Sequence, residues 1–352
     1  MESELKNIIK VWVSGFASLS YCYLIARRIP KGKFRLLSII PIFCLFLLLP
    51  LIFSTMHFRG YTGFSLAWLA NLKLLLFAFG QGPLSLDPSM PFLHFIAVGC
   101  LPIKINYQSR HGSSTANENP SPLPKLPYPI KVVLLPVVIR LYDYRQNLHQ
   151  QFVMLLCCSY TYFGAEIILG TVAYLVSLVI GLELEPTFKE PHLSTSLQDF
   201  WSRRWNIMVP KILHPTIYEP TRCLAVQLLG NEFESVPRVV AILNTFFVSG
   251  LLHELLFFYM GYWQPTWKTM YFFALQGVCL AAEVVVKKEL ATRRWQLRLH
   301  PAVSWSLVNG FLFITISWLL VSDIIQRQLD IMAISEYKAL EGFIKDLSGF
   351  GA

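Results

Sequence analysis

Charge is scarce in this sequence. Only 14% of its 352 residues are Asp, Glu, Lys or Arg, while 54% are hydrophobic. The mean hydropathy is +0.49. A soluble globular domain carries about 25% charged residues and about 45–50% apolar ones. So little charge cannot dress a water-facing surface of this size, which excludes an ordinary soluble enzyme. Cysteine offers no framework either. The seven cysteines are an odd count, with no CxxC pair and no Cys/His spacing that suits zinc. Motifs of soluble enzymes are missing as well: there is no P-loop, GxGxxG, GxSxG or HExxH. No metal or cofactor is therefore expected. Nor is there an internal repeat, and 1–352 reads as one membrane domain. Glu2 and Glu4 spoil the basic start of a cleaved signal, so residues 1–26 are expected to stay in the mature protein.

What is present is a series of apolar runs. A span needs about 20 mostly apolar residues. Candidates are 7–26, 35–54, 62–80, 126–142, 150–181, 237–261, 268–286 and 301–322, eight in all. The fourth is short and holds Pro129 and Pro136. The fifth is too long for one perpendicular helix, so a tilt or a break near Gly164 or Gly170 is expected. The run 92–103 is too short to span and reads as re-entrant or interfacial.

The formal charge of +9 resides in short loops between these runs, which speaks for membrane topology and against nucleic-acid binding. Arg27, Arg28, Lys31, Lys33 and Arg35 join the first two spans. Lys287, Lys288, Arg293, Arg294 and Arg298 join the last two. Eight spans place both loops on one side, the cytosol. Residues 104–125 are rich in Ser, Asn and Pro and read as a flexible loop. Residues 183–236 mix charge with large aromatics and read as a cytosolic or interfacial segment.

Two stretches stand out chemically. Ser196–Val209 holds Phe200, Trp201 and Trp205 beside Asp199, Arg203 and Arg204. At helical spacing Leu197, Trp201, Trp205 and Met208 share one face. The segment is either an interfacial anchor helix or the lining of a site at the membrane surface, with Arg203 and Arg204 available to an anion such as phosphate. The second stretch places His253 and Glu254 deep in an apolar run. Ionisable groups there face a polar cavity or a partner. Either His253 is satisfied by a structural hydrogen bond, or it works chemically with Ser249 one turn earlier to orient it. Asn71, Lys73, Glu166, Asn244, Gln276, Glu283 and Asn309 imply a polar interior. Lys73 and Glu283 lie near span ends, where snorkelling would suffice.

Asp199-Phe200-Trp201-Ser202-Arg203-Arg204-Trp205-Asn206 resembles the signature of the plant wax ester synthase family, the long-chain-alcohol O-fatty-acyltransferases. Ser202 stands where the family pattern has Gly. Ser249-Gly250-Leu251-Leu252-His253-Glu254 resembles the family's histidine motif. The likeness extends through Trp68–Phe79, Gly82–Ser85, Gly277–Cys279 and Glu283–Lys288. This family is similar to the membrane-bound O-acyltransferases (MBOAT), including diacylglycerol and sterol acyltransferases. The resemblance implies an all-α, polytopic transmembrane bundle around a central reaction chamber. It implies His253 and Asn206 as the catalytic pair, and acyl-CoA as co-substrate from the cytosol. A long-chain fatty alcohol would enter from the membrane, expected to be that of the endoplasmic reticulum.

The chemistry fits. His253 would take the alcohol proton, and Asn206 would donate to the developing oxyanion. Trp201 and Trp205 would line the substrate site, Glu254 would orient His253 or line the chamber, and Arg203 and Arg204 would hold the CoA phosphates. A sterol or diacylglycerol acceptor keeps the same chemistry. A proton-coupled carrier is the alternative of another class, but it would favour repeated halves, and none are found.

Overall fold

The computed structural model describes residues 2–105, 127–181, 183–230, 235–261, 264–293 and 300–348. Most of the loop expected at 104–125 lies outside them, as do Arg294 and Arg298. Among the described residues the chain is helical, with one isolated bridge between Ile105 and Leu184 and no strand. In chain order the helices are α1 (Ser3–Arg28), α2 (Lys33–Ile52), α3 (Met56–Ala78), α4 (Phe92–Cys100), α5 (Tyr128–Tyr142) and α6 (Gln150–Ile180). They continue as α7 (Met208–Leu213), α8 (Glu219–Leu229), α9 (Val236–Tyr259), α10 (Lys268–Thr292), α11 (Pro301–Gln326) and α12 (Leu329–Ser348).

Seven of these, α1, α2, α3, α6, α9, α10 and α11, are long and apolar enough to cross a bilayer. The fourth of the eight expected spans is not among them. The fourth expected span forms α5, whose 15 residues reach about 22 Å, short of a hydrocarbon core about 30 Å thick. Pro129 suits its first turn, where no intrahelical N–H bond is lost, while Pro136 inside it removes one. Still, α5 runs from one face to the other. Lys131 near its start binds Glu190 of the interfacial segment, and Tyr142 at its end binds Asp330 beyond α11. The partner of α5 is α6, which has 31 residues and no break at Gly164 or Gly170. At about 46 Å it exceeds the hydrocarbon core and must tilt or protrude. Gly181, at φ 67°, ends it in the left-handed conformation that glycine adopts without strain.

Three apolar clusters hold the bundle. Leu19, Ile39, Phe46, Leu66, Phe77 and Phe95 unite α1 to α4. Ile139, Val153, Leu156, Val321 and Ile334 unite α5, α6, α11 and α12. Phe200, Phe246, Phe272, Phe273 and Leu312 join the interfacial segment to α9, α10 and α11. Close approach of α9 and α10 depends on glycine. A Cβ at Gly277 would lie 2.8 Å from the Phe246 Cβ, nearer than side chains tolerate. Apolar side chains such as Leu5, Phe34, Val179 and Ile314 are left on the outside, where lipid covers them.

Buried charge is spent on tying elements together. Lys73 does not snorkel; it is 1% exposed, and its Nζ donates to the carbonyls of Val98 and Leu101 at 2.7 Å each, at the end of α4. Arg35 donates to the carbonyls of Ile29 and Phe77. Lys131 sits between Glu166 of α6 at 2.9 Å and Glu190 at 2.8 Å. On the opposite face, Glu336 of α12 accepts from the backbone N–H groups of Met56 and His57, which begin α3. His57 in turn reaches Tyr160 of α6 at 2.9 Å.

Replacing Lys131 by Met strips a buried cation from two half-buried carboxylates. Breaking a buried pair in this way is expected to cost about 3–5 kcal/mol. Thermal unfolding of the purified protein in detergent should show a clearly lowered midpoint. A wild-type midpoint would mean that the network does not hold α5 and α6 to the interfacial segment.

Candidate active site

The site is built on a backbone that changes direction at Asn206. Ser196 starts a single helical turn, Leu197–Asp199, by accepting from the Asp199 N–H at 3.0 Å. Glu283 of α10 accepts from the N–H groups of Leu197 (2.8 Å) and Gln198 (3.4 Å), and Lys287 holds Glu283 at 2.6 Å. Glu283 therefore caps this turn and does not snorkel. Phe200–Arg204 then widens into a π turn, closed by a 2.9 Å bond from the Trp205 N–H to the Phe200 carbonyl.

The continuous amphipathic helix expected across 197–208 is not formed. Trp205 is extended, and Asn206 has φ 41°, a left-handed conformation that asparagine accepts more readily than most residues. Two backbone bonds fix this kink. The Lys189 N–H donates to the Arg204 carbonyl (3.0 Å) and the Ile207 N–H to the Thr187 carbonyl (2.8 Å). Helix α7 restarts at Met208.

Trp201 is locked by a buried chain of side chains. Its Nε1–H donates to Gln276 Oε1 at 3.2 Å, and Gln276 Nε2 donates to Thr315 Oγ1 of α11 at 3.0 Å. Gln276 is fully buried, so neither end of its amide has water as a substitute. Trp205 stacks on Phe200 with ring centroids 5.6 Å apart and packs against Phe188.

His253 projects from α9 between two aromatic rings. Trp68 of α3 lies at 4.9 Å, roughly perpendicular, and Phe273 of α10 at 4.2 Å. The imidazole Nδ1 is 2.7 Å from the Ser249 carbonyl. A carbonyl only accepts, so this bond assigns the proton of a neutral imidazole to Nδ1 and leaves a lone pair on Nε2. The orienting group is thus the Ser249 backbone, not its hydroxyl. Among the described residues Nε2 has no hydrogen-bond partner.

Asn206 and His253 line one cavity of about 420 Å³, together with Trp68, Trp201, Trp205 and Ser249. Its walls come from α3, the interfacial segment, α9 and α10. Asn206 Oδ1 and Trp68 Nε1 are buried without partners. An unpaired buried polar group costs about 1–3 kcal/mol, a cost that a bound partner relieves. Three π-helical stretches border the cavity, Gly63–Ala70, Phe200–Arg204 and His214–Tyr218. Such turns recur at functional sites because they re-aim side chains that an α-helix would place elsewhere.

The other expected site residues fall outside the cavity lining. Arg204 is held by Asp199 Oδ2 at 2.6 Å and by the carbonyls of Lys189 and Glu190. Its guanidinium clamps the kink. Arg203 is exposed. Glu254 accepts from the Met270 N–H at 3.3 Å, in the first turn of α10, and no hydrogen bond joins it to His253. A carboxylate there complements the positive end of that helix. Trp68, Gln276 and Glu283 gain roles that the sequence did not assign. For Trp68 the available signal was an indole in an otherwise apolar span.

The chain is thus a polytopic helical bundle in which a histidine of one span and an asparagine of the interfacial segment line one cavity. The profile of the membrane bound O-acyl transferase family matches residues 184–275, which include both residues. The chain is 42% identical to the probable long-chain-alcohol O-fatty-acyltransferase 1 of Arabidopsis thaliana, over 96% of each chain. It is 41% identical to the acyl-CoA–sterol O-acyltransferase 1 of the same plant, over 96% of each. It is 39% identical to a long-chain-alcohol O-fatty-acyltransferase of Simmondsia chinensis, over 97% of this chain and 96% of that one. The chain belongs to the membrane bound O-acyl transferase family, as a multi-pass O-acyltransferase similar throughout to the plant long-chain-alcohol enzymes.

Gln276→Leu should unlock Trp201 and leave its indole N–H buried and unpaired. The expected cost is about 1–3 kcal/mol, seen as a lower melting temperature together with lower turnover in isolated membranes. Wild-type values for both would remove the Trp201–Gln276–Thr315 chain from the support of the site.

Proposed function

We propose that this protein transfers a fatty acyl group from acyl-CoA to the hydroxyl of a long-chain fatty alcohol, forming a wax ester and free CoA. The observation that carries the reading is the convergence of Asn206 and His253, remote in sequence, on one cavity. The names of the Arabidopsis and Simmondsia relatives support the alcohol as acceptor.

The steps balance without a covalent enzyme intermediate. His253 Nε2 takes the hydroxyl proton as the alcohol oxygen attacks the thioester carbon. A C–O bond forms and the carbonyl oxygen gains negative charge, which the Asn206 side-chain amide meets by donating a hydrogen bond. The carbonyl reforms, the C–S bond breaks, and the proton on His253 passes to the departing sulfur. The imidazole returns to its starting state. Trp201 and Trp205 wall the cavity and keep bulk water from the thioester.

The donor enters from the face that carries the basic loops, which the positive-inside rule assigns to the cytosol. In a eukaryotic lipid-synthesising cell that membrane is the endoplasmic reticulum. Arg203 is the exposed cation of the motif and is available to the CoA phosphates, while Arg204 serves the kink. A sterol acceptor is the second reading, favoured by the identity to the Arabidopsis sterol acyltransferase. Membership of an acyltransferase family leaves the carrier reading without support.

Membranes containing the protein, given labelled acyl-CoA and a panel of alcohols, should yield a labelled ester, with long-chain primary alcohols preferred over sterols. Absence of an ester with every acceptor would sink the assignment. His253→Ala should abolish the product, and full activity in that variant would exclude the base role. Asn206→Ala should lower turnover by at least about tenfold, since loss of one oxyanion donor typically costs about 100-fold or more. Arg203→Ala should raise the KM for acyl-CoA, whereas Arg204→Ala should chiefly lower stability. The reverse pattern would exchange their roles.

A further inference from the structure

We propose that the indole N–H of Trp68 is a second donor to the thioester carbonyl oxygen as it gains charge, acting beside the amide of Asn206. This rests on the acyl-transfer reading above and adds a catalytic residue from a different span.

Position comes first. Trp68 is 3% exposed and lines the cavity. Its ring meets the His253 imidazole at 4.9 Å and 71°. A carbonyl attacked by an alcohol that His253 deprotonates would lie in the cavity that Trp68 helps to wall. Leu69, the next residue, packs with Met208 and Ile212 of α7, and Val209 joins the same cluster. The Trp68 wall is thus continuous with the segment that follows Asn206.

Chemistry comes second. An indole N–H can only donate. Buried donors are nearly always paired, yet Trp68 Nε1 has no partner among the described residues. Phenylalanine would present an aromatic wall without this unpaired group. Trp201 makes the contrast within the same cavity, because its N–H is fully used by Gln276. One tryptophan is a fixed wall, and the other keeps its donor in reserve.

Rigidity comes third. Trp68 belongs to the π-helical stretch Gly63–Ala70, every residue of which except Phe64 is buried. Phe64 packs edge-on against it at 5.2 Å. A donor held in this way needs no reorganisation when charge develops, which is the condition for oxyanion stabilisation.

The test uses Trp68→Phe in membranes, with hexadecanol as acceptor. The donors are hexadecanoyl-CoA and its dithioester analogue, in which sulfur replaces the carbonyl oxygen. Sulfur accepts hydrogen bonds poorly, so the oxygen-to-sulfur rate ratio reports donors aimed at that atom. The ratio is taken within one preparation, so the amount of folded protein cancels. Trp68→Phe should lower turnover of the oxygen substrate by about tenfold or more and shrink the ratio by a similar factor. Unchanged turnover, or lower turnover with an unchanged ratio, would overturn the proposal and leave Trp68 as packing. A wild-type protein that makes no ester would fail the acyl-transfer reading and take this proposal with it. Ester from the wild type with equal ratios in both proteins would fail the Trp68 assignment alone.

Discussion

Within a bilayer core no water is available to satisfy a backbone N–H or C=O, so any non-helical stretch must be met by protein groups. The site of this protein depends on that constraint, because its asparagine sits on an irregular segment set against the helices. Much of the irregular segment is met by polar side chains from helices, and the kink itself by backbone bonds. Glu283 receives the N–H groups of Leu197 and Gln198. Asn309 donates to the Ser194 carbonyl and Trp305 to the His192 carbonyl. Asn244 reaches Thr221 of α8. Of the polar residues scattered through the apolar spans, Gln276, Glu283 and Asn309 are thus anchors for the chain that carries the motif, while Lys73 serves the end of α4.

This division explains what the sequence revealed. Hydropathy alone located the long helices, because lipid-facing surfaces leave an unmistakable excess of Leu, Ile, Val and Phe. It also found the short α5, expected at 126–142 and formed at Tyr128–Tyr142, because Pro129 and Pro136 marked it as irregular. His253 was legible as an ionisable group in an apolar run, and Asn206 through the motif around it. Their meeting was expected only through the resemblance, and the kink that brings it about, made by two backbone bonds to Thr187 and Lys189, left no signal. Nor was the fate of neighbouring charges. Arg203 and Arg204 look alike in sequence, but only Arg204 finds Asp199 and two carbonyls within reach. Glu254 follows His253 in sequence, yet it serves the first turn of the next helix. π turns leave no simple periodic signal, and three of them shape the cavity.

The two aromatic-rich motifs also differ in how they are held. The interfacial segment is fixed by side chains from three other elements, so its geometry is a product of the whole bundle. The histidine is fixed by its own helix. A substitution just behind the cavity wall, at Gln276 or Glu283, therefore disturbs the side of the site that holds Trp201 and Asn206 before it disturbs His253.

The bond from His253 to the Ser249 carbonyl has a further consequence. An imidazole moored to its own backbone cannot swing to meet a misplaced hydroxyl. Discrimination among acceptors then becomes a question of depth. An unbranched chain can slide along an apolar wall until its oxygen reaches the stationary nitrogen, while a rigid fused-ring alcohol stops where its outline first jams. Such a site behaves as a gauge of how far a molecule can travel, and hydrophobicity alone does not decide which alcohol it accepts.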